Sequence, residues 1–274
     1  MKKILCVGLL IFSAFAFSAC GNKEEAVYEA EESDDTIVLL EGDRDLTGTK
    51  YESKLTKLGN YKNLTYTWEN EYTPSDAEIR EEMESFFSIF SDEEMTEEAV
   101  KENLDYASMD EFYEDCREEL ISNHEIEVSE AAIEELFAKI IEDSVFEMSD
   151  NEREAYYNDT VSWIEGVAEE ENSSVEEVVD NYWEMNMDEF KVAVYEEADS
   201  TIGVSLVTEA IIAAENIDVQ KLWSEYMTAL LEDYGYQSEA EFEEDSETHA
   251  EIVDEIKYNI VVDYLLENNE KVIK

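Results

Sequence analysis

Pro74 is the one proline in 274 residues. Proline ends helices more firmly than any other residue, because it lacks an N–H and its ring strikes the carbonyl four residues back. A chain with a single proline can run helix after helix, provided its apolar residues recur at helical spacing. From Thr73 onward they do. Ile79, Met83, Phe86, Phe87 and Phe90 form one stripe, and Ile133, Leu136, Phe137, Ile140 and Ile141 another. Leu206, Val207, Ala210, Ile211 and Ala214 follow, then Leu222, Tyr226 and Leu230, and last Ile252, Ile256, Ile260, Tyr264 and Leu265. The spacing predicts a mainly α body of about seven to nine helices.

Helix starts are also written in the sequence. Thr73-Pro74-Ser75-Asp76 reads as a capping Thr73, Pro74 at the first helical position and acid in the first turn. Ser-x-x-Glu, the pattern that closes a capping box, recurs at Ser108/Glu111, Ser173/Glu176 and Ser238/Glu241. Three breaks are each followed by Glu-Phe, at Phe112, Phe190 and Phe242, which hints at a recurring helix start without making a repeat. Ahead of the helices, Lys54 to Tyr72 favours β structure, with Leu64, Tyr66 and Trp68 alternating against Thr65 and Thr67. One or two short strands are expected there.

The first twenty residues follow a different logic. Lys2 and Lys3 precede an apolar run from Ile4 to Phe17, and small residues lead into Cys20-Gly21. This is the layout of a signal peptide, with a core too short to span a membrane with flanks. Phe17-Ser18-Ala19-Cys20 resembles the lipobox of bacterial lipoproteins, apart from Phe17 where Leu is usual. The resemblance implies a signal peptide over 1–19, a lipid on Cys20 and an address on the outer face of the cell membrane. The alternatives are an ordinary secretory signal in which Cys20 is incidental, and a retained transmembrane helix. Two acyl chains hold a protein stably where one does not. The most apolar later run, Thr201 to Ala214, is interrupted by Ser205, Thr208 and Glu209 and falls below spanning length. Residues 20–50 read as an acidic tether, in which Thr36 to Leu40 forms either a short strand or a docking segment. Residues 51–274 read as the helical domain.

The formal charge is −56. Such an excess excludes a protein that tracks nucleic-acid phosphates, and it opposes binding to anionic lipid surfaces. Hydrophobic residues at 44% and aromatics at 11% are too rich for an acidic disordered chain, so the acid is expected to coat a folded body. The coat serves solubility, or attracts basic clients or divalent cations. With Cys6 in the leader and Cys20 lipidated, Cys116 stands alone, so no internal disulfide is expected and a buried thiol is.

No catalytic constellation is visible. His124 and His249 are the only histidines, each in an acidic setting, and read as surface residues. There is no Gly-x-Ser-x-Gly elbow, no phosphate-cradling glycine loop, no His-Glu-x-x-His helix and no EF-hand loop. Carboxylate pairs such as Glu81-Glu82 arise by chance among 74 acids. Neither an enzyme nor a bound cofactor or metal is expected.

Several stretches, in order, resemble trigger factor, the bacterial ribosome-associated chaperone. Leu58-Gly59-Asn60-Tyr61-Lys62-Asn63-Leu64-Thr65 is similar to that family's Leu-Gly-Asp-Tyr-Lys-Gly-Leu segment. Glu196-Glu197-Ala198 through Val204-Ser205-Leu206-Val207-Thr208-Glu209-Ala210-Ile211, with the turn Glu215-Asn216-Ile217-Asp218-Val219, is similar to part of its carboxyl-terminal chaperone domain. Lys257-Tyr258-Asn259-Ile260-Val261-Val262-Asp263-Tyr264-Leu265-Leu266-Glu267-Asn268 resembles the family's closing Lys-Val-Val-Asp-Phe-Leu-Leu-Glu. Between Phe90 and Asp105 there is no room for that family's prolyl-isomerase domain, and export excludes ribosome docking. The resemblance therefore implies the chaperone body alone, a multi-helix arm or cradle similar in fold to SurA. It implies a membrane-anchored holdase that binds unfolded or newly exported polypeptides, without isomerase activity and without nucleic acid. A non-catalytic adaptor or ligand-binding lipoprotein on the same scaffold is the alternative. With 16 Tyr, 8 Met and 4 Trp the chain is rich in side chains that bind loosely and re-pack. Tyr156, Tyr157, Trp163, Tyr182, Trp183, Met185 and Met187 are the candidate client-binding residues, with ordinary core packing as the competing role of each.

Overall fold

The computed structural model describes residues 37–40, 42, 44–69, 72–91, 94–104, 106–245 and 249–274. Two short strands open it, β1 (Lys54–Lys57) and β2 (Thr65–Trp68), within the stretch the alternation marks. Then come α1 (Asp76–Phe90), α2 (Glu97–Asn103), the long α3 (Met109–Asp143) and β3 (Val145–Glu147). They are followed by α4 (Asp150–Glu171), α5 (Val175–Trp183), α6 (Met187–Glu215), α7 (Val219–Tyr234), α8 (Glu239–Asp245), α9 (His249–Asn268) and β4 (Glu270–Ile273). The protein is mainly helical, with nine helices among the described residues.

The helix starts obey the capping logic, with shifts of a residue or two. Ser75, not Thr73, caps α1: its side chain accepts from the Glu78 N–H, and the Glu78 carboxylate accepts from the Ser75 N–H at 2.7 Å. Pro74 thus sits before the cap rather than inside the helix, because Ser75 and Glu78 form a complete box that Thr73 cannot. Likewise Ser174 with Glu177, not Ser173 with Glu176, closes the box of α5. Ser108 and Ser238 accept from Glu111 and Glu241 as the pattern predicts. The three Glu-Phe pairs share a geometry. Phe112, Phe190 and Phe242 each lie four residues past a cap and donate the helix's first backbone bond to Ser108, Asn186 and Ser238. All three rings are buried. Each anchors a helix start to a core at about 2 kcal/mol per ring.

The described chain divides into two compact units. The first contains residues 65–135 and 270–274. Its core joins Ile79, Met83 and Phe87 of α1 to Ala99 and Val100 of α2, with Leu104, Phe112 and Cys116. Its sheet pairs β2 with β4 in parallel, in the register Thr65↔Glu270 to Trp68↔Ile273.

The second unit contains the described residues from Ile37 to Leu64 and from Leu136 to Asn269. There β1 pairs antiparallel with β3. The following turn seals the end of α3: Gly59 donates to the Ser144 hydroxyl at 2.9 Å and Asn60 to the Asp143 carboxylate at 2.9 Å. Any Cβ on Gly59 would lie 2.3 Å from the Ile140 carbonyl oxygen, so only glycine fits. One core gathers Ile164, Ala168, Val178, Val179, Phe190 and Val194 from α4, α5 and α6. Another gathers Trp223, Tyr226, Met227, Leu230 and Leu231 of α7, Phe242 of α8, and Ile252, Val253, Ile256 and Ile260 of α9.

Of the segment 20–50 read as a tether, the described part is docked. Val38 pairs with Ser238 in a parallel bridge, and Ile37, Leu39 and Leu46 pack against the α7–α9 core. Thr49 donates to the Asp254 carboxylate at 2.9 Å. Residues 1–36, with Cys20, lie outside the described residues.

Candidate functional site

The first unit carries an open groove between its sheet and its own stretch of α3. Alternation puts Tyr66 and Trp68 of β2 on one sheet face, together with their register partners Lys271 and Ile273 of β4. Tyr66 is buried, whereas Trp68 is half-buried and lines the groove. Tyr72, Thr73 and Glu69 continue one wall, and Ile121, His124, Glu125 and Val128 of α3 form the other. This space is about 600 Å³. A second recess of about 300 Å³, walled by Thr67, Glu127, Ala131 and Glu135, shares Glu69, His124 and Val128 with it.

The lining combines rings, aliphatics and charge. The His124 and Tyr72 rings lie 4.6 Å apart between centroids, tilted by 36°, and the Tyr72 hydroxyl donates to Glu78 at 3.2 Å. The Lys271 ammonium stands 3.5 Å from the centre of the Trp68 ring, a cation–π pair, and burial pushes its pKa down. Glu69, Glu125, Glu127 and Glu135 supply four carboxylates. Val272 is 41% exposed and Ile273 63%. Ile89 and Phe90, also in this unit, are exposed too. The arrangement offers no nucleophile with a base and no ligand set for a metal. It offers apolar faces, a cation-accepting indole and an acidic rim.

The seven residues picked from the sequence lie elsewhere, in the second unit. Tyr156, Tyr157, Tyr182, Trp183, Met185 and Met187 are half-buried against the α4–α6 core. Trp183 lies 5.4 Å from Phe190, and Lys191 sits 4.6 Å from the Tyr157 ring centre. Burial pushes the Tyr156 hydroxyl pKa well above its usual range. Trp163 is the exposed member, at 44%. Cys116 is buried, and that burial raises its thiol to about 11, which suits core packing. His249 bonds to the Asp45 carbonyl at 2.8 Å and faces Glu243 at 3.2 Å. Among the described residues no cluster of His, Cys, Asp and Glu could hold a metal, and no helix is long and apolar enough to cross a membrane.

Trp68, Tyr72, His124, Lys271 and Ile273 escape a reading of the sequence because three distant segments supply them. The available signal was the alternation around Trp68, which marks a strand with one aromatic face.

No protein-family model matches the chain, and no curated protein matches it. Among solved structures, the chain is similar to a hypothetical Mycoplasma protein, MPN555, at 11% identity and a TM-score of 0.36. The match covers 82% of this chain and 92% of that one.

Proposed function

We propose that this protein is an extracytoplasmic holdase, attached to the outer face of the cell membrane through a lipid on Cys20, that shields apolar segments of unfolded or newly exported polypeptides. The observation that carries the reading is the groove of the first unit, where half-buried rings and exposed aliphatics lie open. A holdase needs such a surface on a body that stays dispersed, and the formal charge of −56 favours dispersal. Binding of this kind uses loose apolar contact, so no prolyl-isomerase step and no cofactor enter the mechanism. The same charge disfavours nucleic acid as a partner.

The test uses the chain from Gly21 onward, which keeps every described residue and contact. Light scattering of a chemically unfolded client is expected to fall in the presence of a several-fold excess of the protein. Trp68→Ala is expected to weaken the effect. Equal aggregation with and without the protein sinks the holdase reading. Anchoring is tested separately: Cys20→Ala in the full chain is expected to move the protein from the membrane fraction to the soluble one. Retention of that variant in membranes would overturn the lipid anchor.

A further inference from the structure

We infer that the outer edge of β4 is a strand-addition site for an extended, cationic polypeptide segment, whose alternate side chains enter the groove beside Trp68 and His124. Its identification with a chaperone client rests on the holdase reading above; the site itself rests on the backbone.

The parity of the ladder identifies the open groups. Lys274 donates its N–H to the Trp68 carbonyl at 3.1 Å, and Trp68 is registered with Ile273. In a parallel pair, alternate residues turn both backbone groups toward the partner strand. Glu270, Val272 and Lys274 therefore face β2, and Lys271 and Ile273 face outward. The other strand agrees: Thr67 donates away from β4, to the Glu135 carboxylate at 2.7 Å. Among the described residues nothing bonds the outward N–H and C=O groups of Lys271 and Ile273, and all of β4 is exposed. A two-stranded parallel sheet is a weak structure, and a third strand would complete it.

Side chains and charge then define the occupant. The side chains of Lys271 and Ile273 line the groove. An extended segment laid along β4 sends every second side chain to that same face. There it meets Trp68, Tyr72, His124 and Ile121, and carboxylates of Glu69 and Glu125 with Glu127 beyond. Lys271 stands against these acids as the one ammonium of the lining, and its place over the indole shows that this ring accepts a cation. The complementary ligand is a polypeptide alternating basic with apolar or aromatic side chains. A second copy of this chain, at −56, would be repelled.

The probe is a short synthetic peptide alternating Arg with Val and Phe. Controls are the same peptide with Glu for Arg, and the parent with alternate backbone amides N-methylated. The chain from Gly21 onward is expected to bind the parent, with slowed hydrogen exchange over residues 270–274. Methylation, which removes the edge hydrogen bonds, is expected to weaken binding ~10-fold or more. The Glu peptide is expected not to bind, and Glu69→Gln with Glu125→Gln to flatten the salt dependence. Ile273→Pro deletes an outward N–H while leaving the β2-facing groups, so binding should fall with the urea midpoint unchanged. Equal binding of the methylated peptide, or no protection in 270–274, overturns the strand-addition mode. Concentration-dependent dimers that Ile273→Pro abolishes would give the edge to a second copy and overturn the proposed occupant. The two readings separate in the aggregation assay. If Ile273→Pro still shields clients fully, the edge is not where clients bind and the holdase stands. If the unaltered chain binds the peptide but shields nothing, the holdase goes and the edge site stands.

Discussion

Arg44 and Glu239, 195 positions apart, meet in a two-pronged ion pair with Nε and Nη2 each 2.9 Å from a carboxylate oxygen. The Glu239 side chain is fully buried, and it also accepts from the Leu40 N–H at 2.7 Å and the Trp223 indole at 3.0 Å. Arg44 in turn donates to the Gly42 carbonyl at 3.0 Å and to the Leu40 carbonyl. The pair therefore fastens Leu40, Gly42 and Arg44 to α7 and α8.

Removing one partner of such a pair strands a charge in a dry site. Arg44→Ala is expected to destabilise the protein by about 3 kcal/mol, read as a shift in the urea midpoint. Arg44→Lys should recover only part of this, since an ammonium cannot make the two-pronged contact. A midpoint unchanged in Arg44→Ala would mean that the segment is not held by this pair.

Two glycines give opposite expectations. Gly59→Ala forces a Cβ onto the Ile140 carbonyl and should cost about 2 kcal/mol. Gly166 lies exposed within α4 with nothing near its Cβ position, so Gly166→Ala should stabilise by about 0.5–1 kcal/mol. Thermal melts of the two variants should move in opposite directions.

Glu215 supplies a pH signature. Hydrogen bonds from Lys62, then Tyr61 and Tyr264, hold its carboxyl at about 2, below the ordinary 4.5. A depressed carboxyl stabilises the fold above its unfolded value and loses that contribution as pH falls through the folded one. Lys62→Met should therefore lower the urea midpoint at pH 7, with the deficit shrinking from about pH 4.5 down to about 2. Asp254 and Glu197, raised by burial, run the other way, so the difference between variant and parent is the quantity to follow. A deficit constant with pH would remove Glu215 from this role.

Trp163 and Trp183 separate surface from core among the sequence-picked aromatics. Trp183→Ala should cost about 2 kcal/mol through lost packing on Phe190. Trp163→Ala should change stability by no more than about 0.5 kcal/mol. If Trp163→Ala nonetheless weakens client binding, the exposed tryptophan of α4 belongs to the binding surface.

The helices were legible because their apolar residues repeat at the period of the structure itself. Ile252, Ile256, Ile260 and Leu265 are buried where the stripe puts them, and Tyr66 is buried where the alternation puts it. Legibility failed where a residue's role depends on a distant segment. Asn268-Asn269 can end the last helix, but nothing local makes Glu270 to Ile273 a strand, because their partner β2 lies some two hundred residues earlier. His124 is an unremarkable polar position until the Tyr72 ring packs against it. For Tyr156, Trp183 and Met187 the sequence leaves client binding and core packing open, and the structure packs all three, half-buried, against the α4–α6 core. A pattern in sequence records which face is apolar and leaves open what covers it.

The docking of Ile37 to Leu40 and of Arg44 also sets a length. Under the proposed anchoring, sixteen residues separate Cys20 from Ile37, and covalent geometry limits their span to at most about 55 Å, against roughly 100 Å for the thirty residues to residue 50. A halved radius concentrates the body near the bilayer and raises the local concentration it presents to chains emerging there. Arg44 and Glu239 thereby act as the cleat at which the link to the anchor is made fast.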